Sequence, residues 1–408
     1  MKYLTSNDEG SVDKEKVKIA LVYHFFAEYR RPVLETLLED PRFDLDFFGD
    51  SRNQSMPGLP VWGPGLEDRG FRAAKCHFFP LGFLWQRRVV TATLRGDYEC
   101  FIFLGDWKFL STWVAAFVAR LRGRRVLFWT QGWRHEESGF LAGVRVLFYR
   151  IANGLLLYGP SAKQIGISKG FDASRLYLMM NSLDYKRHVE LIESSSAEAI
   201  RSRREKWFPD VERPVLVCAA RLQKSKRMDL LIEAAYELAV QGDPVNVLVI
   251  GDGPELPDLK TRWETARRRW TESGRIESDA SVVVFAGACF DVDEVAFDTM
   301  AADLTVCPSS AGLTVIQSLT FGVPVVTCDD PVRRGPEVDA IEHGETGYFF
   351  ETDCVASLVR IIRGHLQKDP IEVQRMKDAC RKMVDDCYNP EYQAGVVDLA
   401  VRGGPAPA

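Results

Sequence analysis

At 408 residues, 46% hydrophobic and 27% charged, the chain is too long for one ordinary core and has the composition of a globular protein of two domains. No run nears the roughly 18 apolar residues of a membrane span, and the polar start MKYLTSNDEGSVDKEK has no apolar signal core, so neither a spanning helix nor export is expected. The net charge of −5 divides into 27 Lys and Arg against 22 Asp and Glu over residues 1–195 and 25 against 35 over the rest; with no long basic run, this suits an anionic surface or substrate and argues against nucleic acid.

Residues 1–16 read as a disordered arm. Residues 17–23 form an apolar strand, 24–29 an aromatic loop ending in Arg30-Arg31-Pro32, and Pro32 opens a helix over 33–39. Residues 44–48 are a second strand, and 50–75, rich in Gly, Pro and Ser, a long loop. The stretch 78–95, FFPLGFLWQRRVVTATLR, is apolar and aromatic with Arg87, Arg88 and Arg95. As a helix it either rests on an anionic membrane or packs into a core with its arginines in water. Strands at 100–104, 126–129 and 154–158 alternate with helices at 110–121 and 141–152, which gives a first parallel domain over 17–184.

Residues 185–213 are a charged, partly helical connector, weakest at Ser194-Ser195-Ser196. A second domain, 214–387, opens with a strand at 215–219 and continues with a helix at 230–241, a strand at 245–250 and a helix at 255–270. Its organising stretch is 282–326, VVVFAGACFDVDEVAFDTMAADLTVCPSSAGLTVIQSLTFGVPVV. Strands at 282–286, 304–307 and 325–327 flank helices at 293–301 and 313–321, and a small-residue turn, Ser309-Ser310-Ala311-Gly312, opens the second helix. Strand, turn, helix, strand is one parallel crossover unit, and its ligands sit beyond the strands' carboxyl ends against free helix-start amides. This places a phosphate-bearing ligand against Ser309, Ser310, Ala311, Gly312, Leu313 and Thr314. A helix at 355–366 closes the domain. The C-terminal segment, 388–408, can pack back on the first domain and ends in a disordered tail, GGPAPA.

Nine scattered cysteines with no CxxC pair point to reduced thiols and a cytoplasmic protein, with the inner face of a membrane as its one other setting. Six histidines without ligand spacing argue against a metal site, and no cofactor is expected.

The segment ADLTVCPSSAGLTVIQSLTFGVPVV resembles the signature of retaining glycosyltransferases of family four. The resemblance implies an α/β fold of two facing Rossmann-like parallel-sheet domains (GT-B) with an interdomain cleft. It also implies a sugar moved from a UDP-, GDP- or ADP-linked donor on the second domain to a hydroxyl of a glycan or lipid-linked acceptor on the first. It implies retention of configuration and no metal. The family places two glutamates eight positions apart at this turn; here they are Ser309 and Gln317. Serine can bond a sugar hydroxyl without bringing charge, and glutamine can still accept from a ribose.

Arg221 and Lys226, in RLQKSK just past a strand, resemble the family's cation pair, and two cations there can converge on a diphosphate leaving group. Arg227 stands where the family often has glycine. Gly251 and Gly253 in GDGPE either let a backbone approach the nucleotide or make a tight turn; with no third glycine this is not a dinucleotide fingerprint. On the first domain, Gln131, Gly132 and His135 beyond a strand end resemble the sugar- or acceptor-side loop, with His135 the nearby substitute for a catalytic histidine. The resemblance implies that His24 and Tyr29 belong to a loop that faces the acceptor, the alternative being a packed aromatic turn with solvated arginines; Asn181 resembles the family's turn where the domains meet, or does no more than cap a turn. Two rivals share the fold: a sugar-nucleotide epimerase or hydrolase, and a catalytically silent nucleotide- or glycan-binding protein.

Overall fold

The computed structural model describes residues 15–54, 60–275 and 280–407. Residues 1–14, most of the expected arm, and 55–59 of the expected loop lie outside them. The chain forms two compact units, one running to Asp184 and resuming at Cys387, the other Tyr185–Asp386.

The first unit begins with β1 (Val17–Val22), β2 (Phe26–Ala27), α1 (Arg31–Glu39), β3 (Phe43–Gly49), β4 (Val61–Trp62), β5 (Phe71–Ala73), β6 (Cys76–Phe78) and β7 (Leu84–Gln86). It continues with α2 (Val89–Arg95), β8 (Cys100–Leu104), α3 (Leu110–Leu121), β9 (Arg125–Thr130), α4 (Phe140–Ile151), β10 (Gly154–Leu157), α5 (Pro160–Ser168) and β11 (Leu176–Leu178). Seven strands make a parallel sheet in the order β11-β10-β9-β8-β1-β3-β5. Strand alternation sends Ile19 and Leu21 to one core and Ala20 and Val22 to the other. Val33, Leu34 and Leu37 of α1 fill the first. Val89 of α2, Ala115, Ala116 and Ala119 of α3, Phe148 of α4 and Ala162 of α5 fill the second. All four of these helices therefore lie on one face of the sheet.

Two local expectations give way here. The stretch 78–95 is not one helix: β6 and β7 pair antiparallel as a hairpin, and α2 starts only at Val89. Pro80 and Gly82 occupy the tip, where proline cannot supply a helix-interior N–H. Residues 50–75 are not featureless, because β4 pairs with β2 and β5 extends the sheet beside β3.

The second unit holds α6 (Tyr185–Ser194), α7 (Ala197–Trp207), β12 (Val215–Ala219), α8 (Met228–Val240), β13 (Asn246–Ile250), α9 (Leu256–Glu272) and β14 (Val282–Gly287). Then come α10 (Val292–Met300), β15 (Leu304–Cys307), α11 (Thr314–Thr320), β16 (Val325–Cys328), β17 (Gly347–Phe350), α12 (Val355–Leu366) and α13 (Pro370–Cys387). Six parallel strands run β14-β13-β12-β15-β16-β17. The order reverses at β12, so the switch point lies between the carboxyl ends of β12 and β15, where ligands of such sheets bind. Residues 185–213, expected as a separate connector, belong to this unit. Arg203 pairs with the buried Asp298 at 2.5 Å and with Glu294 at 2.8 Å, and Arg204 with Asp303 at 3.0 Å, which fixes α7 against α10 and the start of β15.

After α13 the chain returns to the first unit as α14 (Pro390–Arg402), which buries Ala394, Val397 and Ala400 in the α1-side core. The tail expected to be disordered is held through residue 407. The Ala406 amide donates to the Ser174 carbonyl at 2.7 Å, and the Lys163 ammonium donates to that of Pro407 at 2.5 Å. Backbone groups of a Gly-Pro-rich tail need partners like any others, and α5 and the turn before β11 supply them.

Candidate functional site

The strand-end turn after β15 departs sharply from regular structure. Pro308 ends the strand, Ser310 sits in the left-handed region at φ 53°, and α11 begins four residues later. Ser309 is 2% exposed. Thr314 pins the helix start by donating its hydroxyl to the Ala219 carbonyl of β12 at 3.1 Å. From the loop after β12, Lys226 donates its ammonium to the Ser310 carbonyl at 2.5 Å. Among the described residues, the amides of Ala311, Gly312, Leu313 and Thr314 donate to no protein acceptor. Between these groups lies a small hollow of about 10 Å³, lined by Ala219, Ala220, Lys226, Ser309, Gly312 and Thr314 among others. That is room for about one water-sized group.

The hollow sits at the switch point of the sheet, with one cation and a run of undonated amides around it. Such a set favours an oxyanion, since the Lys226 ammonium and the unpartnered amides of the residues that line the hollow carry positive charge. Arg221 does not share it. Its side chain is exposed, lines no part of the hollow, and among the described residues has no hydrogen-bond or ion-pair partner. Leu313 and Gln317 also lie outside the lining; Gln317 is half-buried, one turn into α11. Arg227 adopts φ +50°, which explains why glycine is at ease at this position. Here it is held instead by ion pairs to Asp229, at 2.9 Å, and Asp353.

Gly251 and Gly253 are required by close backbone approach. A Cβ on Gly251 would stand 1.9 Å from the Ala220 carbonyl oxygen, and one on Gly253 2.3 Å from that of Leu222. The Leu222 amide donates to Asp252 at 2.9 Å, and the Glu255 amide back to Leu222 at 3.2 Å. The two glycines thus lay the 251–255 turn flat along the loop that carries Arg221 and Lys226.

One carboxylate escaped the sequence reading. Glu337, 6% exposed, lies in the single helical turn Pro336–Ala340. Its Oε2 would be 2.8 Å from a Cβ placed on Gly335 and 3.9 Å from one on Gly312, and the Gly335 amide donates to the Ala311 carbonyl at 3.0 Å. A buried carboxyl therefore lies beside the turn. The chain carries it in from beyond β16, so its only local signal is an acidic residue after Gly-Pro.

On the first unit the expected acceptor-side residues are dispersed among structural tasks. Gly132, at φ +67°, leaves no space for a side chain: a Cβ would meet Leu157 at 2.8 Å. Gln131 is exposed, and His135 half-buried with Nδ1 unpartnered. Asn181 is buried, and its Oδ1 accepts from the Ser182 amide at 3.1 Å. His24 packs edge-on against Phe25 and Phe109; burial, then the nearby Arg30, lowers its pKa to about 4, so the ring is neutral. Tyr29 is one of four rings around Arg30, with Tyr23, Trp129 and Tyr158, each 5.5 Å from the guanidinium. Arg30 Nη2 donates to the Tyr158 hydroxyl at 2.5 Å, while Nη1 is buried without a partner. Sequence reading passed over Arg30, because the cage that holds it gathers from the ends of β1, β9 and β10. Among the described residues no cluster of three or more His, Cys, Asp and Glu could hold a metal.

Residues 213–368, which span the switch-point sheet and the turn, match the family model for glycosyl transferases group 1. The match falls within the second unit. The chain is 25% identical over 284 residues to sucrose synthase of Denitrovibrio acetiphilus, covering 62% of this chain and 33% of that protein. It is 28% identical over 188 residues to a GDP-mannose-dependent alpha-(1-6)-phosphatidylinositol monomannoside mannosyltransferase of Mycolicibacterium smegmatis, covering 44% and 46%. The matches thus span about a third and just under half of those curated relatives. Among solved structures, the crystal structure of HepE of Anabaena in complex with UDP is similar with a TM-score of 0.67 at 16% identity, covering 95% of this chain and 99% of that one. The two units thus have the GT-B type of fold, two parallel-sheet α/β domains.

Proposed function

We propose that the protein transfers a sugar from a nucleotide-sugar donor to a hydroxyl of a glycan or lipid-linked acceptor, with retention of configuration and without a metal ion or cofactor. The observation that carries this reading is the hollow lined by Lys226, whose ammonium bonds to Ser310, and by Ala311, Gly312 and Thr314, whose amides donate to no acceptor among the described residues. A diphosphate would seat one oxygen there and extend past the exposed Arg221. As the glycosidic C–O bond breaks, its electron pair passes to the diphosphate oxygen. Lys226, Arg221 and the amides stabilise that growing charge more in the transition state than in the bound donor. The acceptor oxygen bonds to the anomeric carbon on the same face, and its proton goes to the departing phosphate. On this reading Glu337 keeps the turn in shape, and the first unit, with Arg30 in its aromatic cage and the loops of Gln131 and His135, takes the acceptor.

A second reading is favoured by one observation: the turn presents Ser309 and Gln317 and no carboxylate of its own. This is a protein that binds sugar nucleotides and does not transfer. A melting-temperature screen with UDP-, GDP- and ADP-sugars tests the shared premise, because a ligand selective for the folded state raises the melting temperature. Labelled donor then separates the two: released or transferred sugar supports transfer, and binding without either supports the silent protein. No shift with any donor sinks both.

A further inference from the structure

The first unit carries an apolar surface that none of the sugar chemistry uses. Of the seventeen exposed large hydrophobic residues described, twelve lie on the β6–β7 hairpin and on α2–α5, the helices that share one face of the first sheet. On α3, Leu110, Val114, Phe117 and Leu121 recur at spacings of four, three and four, which places all four on one stripe. Phe117 is 58% and Leu121 72% exposed, whereas Ala115, Ala116 and Ala119 face the sheet and are fully buried. The helix is thus apolar on both sides, a pattern that an ordinary water-facing helix does not show.

The neighbouring elements extend the stripe. The hairpin tip sits over the start of α3, where the Lys108 ammonium donates to the Leu81 carbonyl at 3.2 Å and the Leu84 amide to Lys108 at 3.1 Å. That tip exposes Phe78, Phe79 and Leu81, the last 83% exposed at φ 62°. At the other end, Arg122 ties α3 to α2 by donating to the Thr93 carbonyl at 2.5 Å. On the far side, Trp113 packs on Phe148 of α4, whose Phe140 and Leu147 are exposed.

Charge identifies the occupant. Over residues 75–171 the chain holds 14 Lys and Arg against 5 Asp and Glu, although the whole protein is net negative. Arg87, Arg88, Arg95 and Arg120 are exposed on or beside the same helices. Lys75, Arg87 and Arg88 stand at the base of the hairpin and line, with Arg52, an open cavity of about 330 Å³. The one carboxylate in that cavity, Asp50, is occupied by the amides of Cys76 at 2.7 Å and Arg52 at 3.1 Å. Three residues of extended strand span about 10 Å, so the apolar tip stands about that far from the basic base. This matches the depth to which interfacial elements enter a bilayer while their cations remain among headgroup phosphates. A second copy of this chain would bring the same positive field against itself, which disfavours a dimer through this face.

We propose that the outward surface of α2–α4 and the hairpin tip is a docking face for an anionic lipid bilayer. It goes beyond the sugar-transfer reading and stands without it. Among the described residues no helix is long and apolar enough to cross a membrane, so the attachment is one that lies on the surface. The test is sedimentation of the full chain with phosphatidylcholine vesicles and with vesicles that also contain phosphatidylglycerol. The mixed vesicles should carry the protein down at low salt, and about 1 M salt, where the screening length is about 3 Å, should release most of it. Replacing Phe117 and Leu121 together by glutamate, at exposed positions, should cut the partition roughly ten-fold or more, with an unchanged circular dichroism spectrum. Lipid-borne bromine should quench tryptophan fluorescence of the unaltered protein in mixed vesicles, a readout that needs no variant. Absence of sedimentation at low salt overturns the proposal. So does equal binding to neutral vesicles, or a dimer that the double variant dissociates without any vesicle binding.

Discussion

The Lys226 ammonium donates to the carbonyl of Ser310, 84 residues away, at 2.5 Å, and this bond joins the loop after β12 to the turn after β15. Lys226 therefore holds the left-handed turn at Ser310, and on the proposed reading it also presents charge to a phosphate. Lys226→Ala should lose both. We expect kcat/KM to fall by on the order of a hundred-fold or more, the cost of one lost oxyanion donor being about 3 kcal/mol, and the melting temperature to fall with it. An enzyme that keeps its turnover after this change would place the diphosphate elsewhere.

Arg221 predicts a different pairing of effects. Its side chain is exposed and holds nothing together among the described residues. Arg221→Ala should leave stability within about 0.5 kcal/mol, as for surface positions generally, while donor turnover is abolished or nearly so. Side-by-side thermal melts and donor-turnover assays of the two variants separate a residue that only binds from one that also builds the site. Near-normal turnover in Arg221→Ala removes Arg221 from the reaction.

The glycines make a structural prediction. Gly251→Ala drives a Cβ to within 1.9 Å of the Ala220 carbonyl, so the 251–255 turn must lift from the loop of Arg221 and Lys226. The loss should be about 3 kcal/mol or more of unfolding free energy, typical of strain that backbone cannot relieve. Urea unfolding measures it. If Gly251→Ala and Gly253→Ala unfold as the natural protein does, the close approach is not rigid.

Much of this was legible from period and punctuation. The strand at Val215–Ala219 and the helices Leu110–Leu121 and Val355–Leu366 were read at their observed bounds, because long apolar periodicity ended by small or charged residues decides them. The hairpin at 76–86 was not, since its apolar run has neither clear alternation nor a two-residue turn signal, and Pro80 was the only warning. In the site, the turn Ser309–Gly312 could be read because its residues are contiguous. Glu337 and Arg30 could not, because each takes its meaning from partners brought from strands far away in sequence. Gly251 and Gly253 were left open between ligand and turn; the distances to Ala220 and Leu222 explain them by backbone packing alone.

Glu337 offers the test of that blind spot. Glu337→Gln preserves volume and removes the negative charge beside Gly312 and Gly335. If the carboxyl accepts bonds that shape the turn, the variant should lose about 1–3 kcal/mol of stability and donor affinity should drop with it. Isothermal titration with the donor found by the screen, beside a thermal melt, reads both. An unchanged melt and affinity would make Glu337 a bystander.

The last prediction concerns acid. Burial, reinforced by Arg30, lowers the His24 pKa from 6.5 to about 4, so the folded protein holds His24 neutral where the unfolded chain would protonate it. The unfolded state binds more protons between these values, and stability therefore rises with pH across that window. Contributed stability is complete above pH 6.5 and is lost as pH falls toward 4, by about 3 kcal/mol at most. His365 is also lowered by burial and gives a slope of the same sign, so the comparison must be with a variant. His24→Leu keeps an apolar group against Phe25 and Phe109 and cannot titrate. Urea unfolding at pH 7, 6, 5 and about 4.5, inside the titration window, should show a shallower loss for His24→Leu than for the natural protein. Parallel losses would mean that His24 reaches solvent and protonates in the folded state.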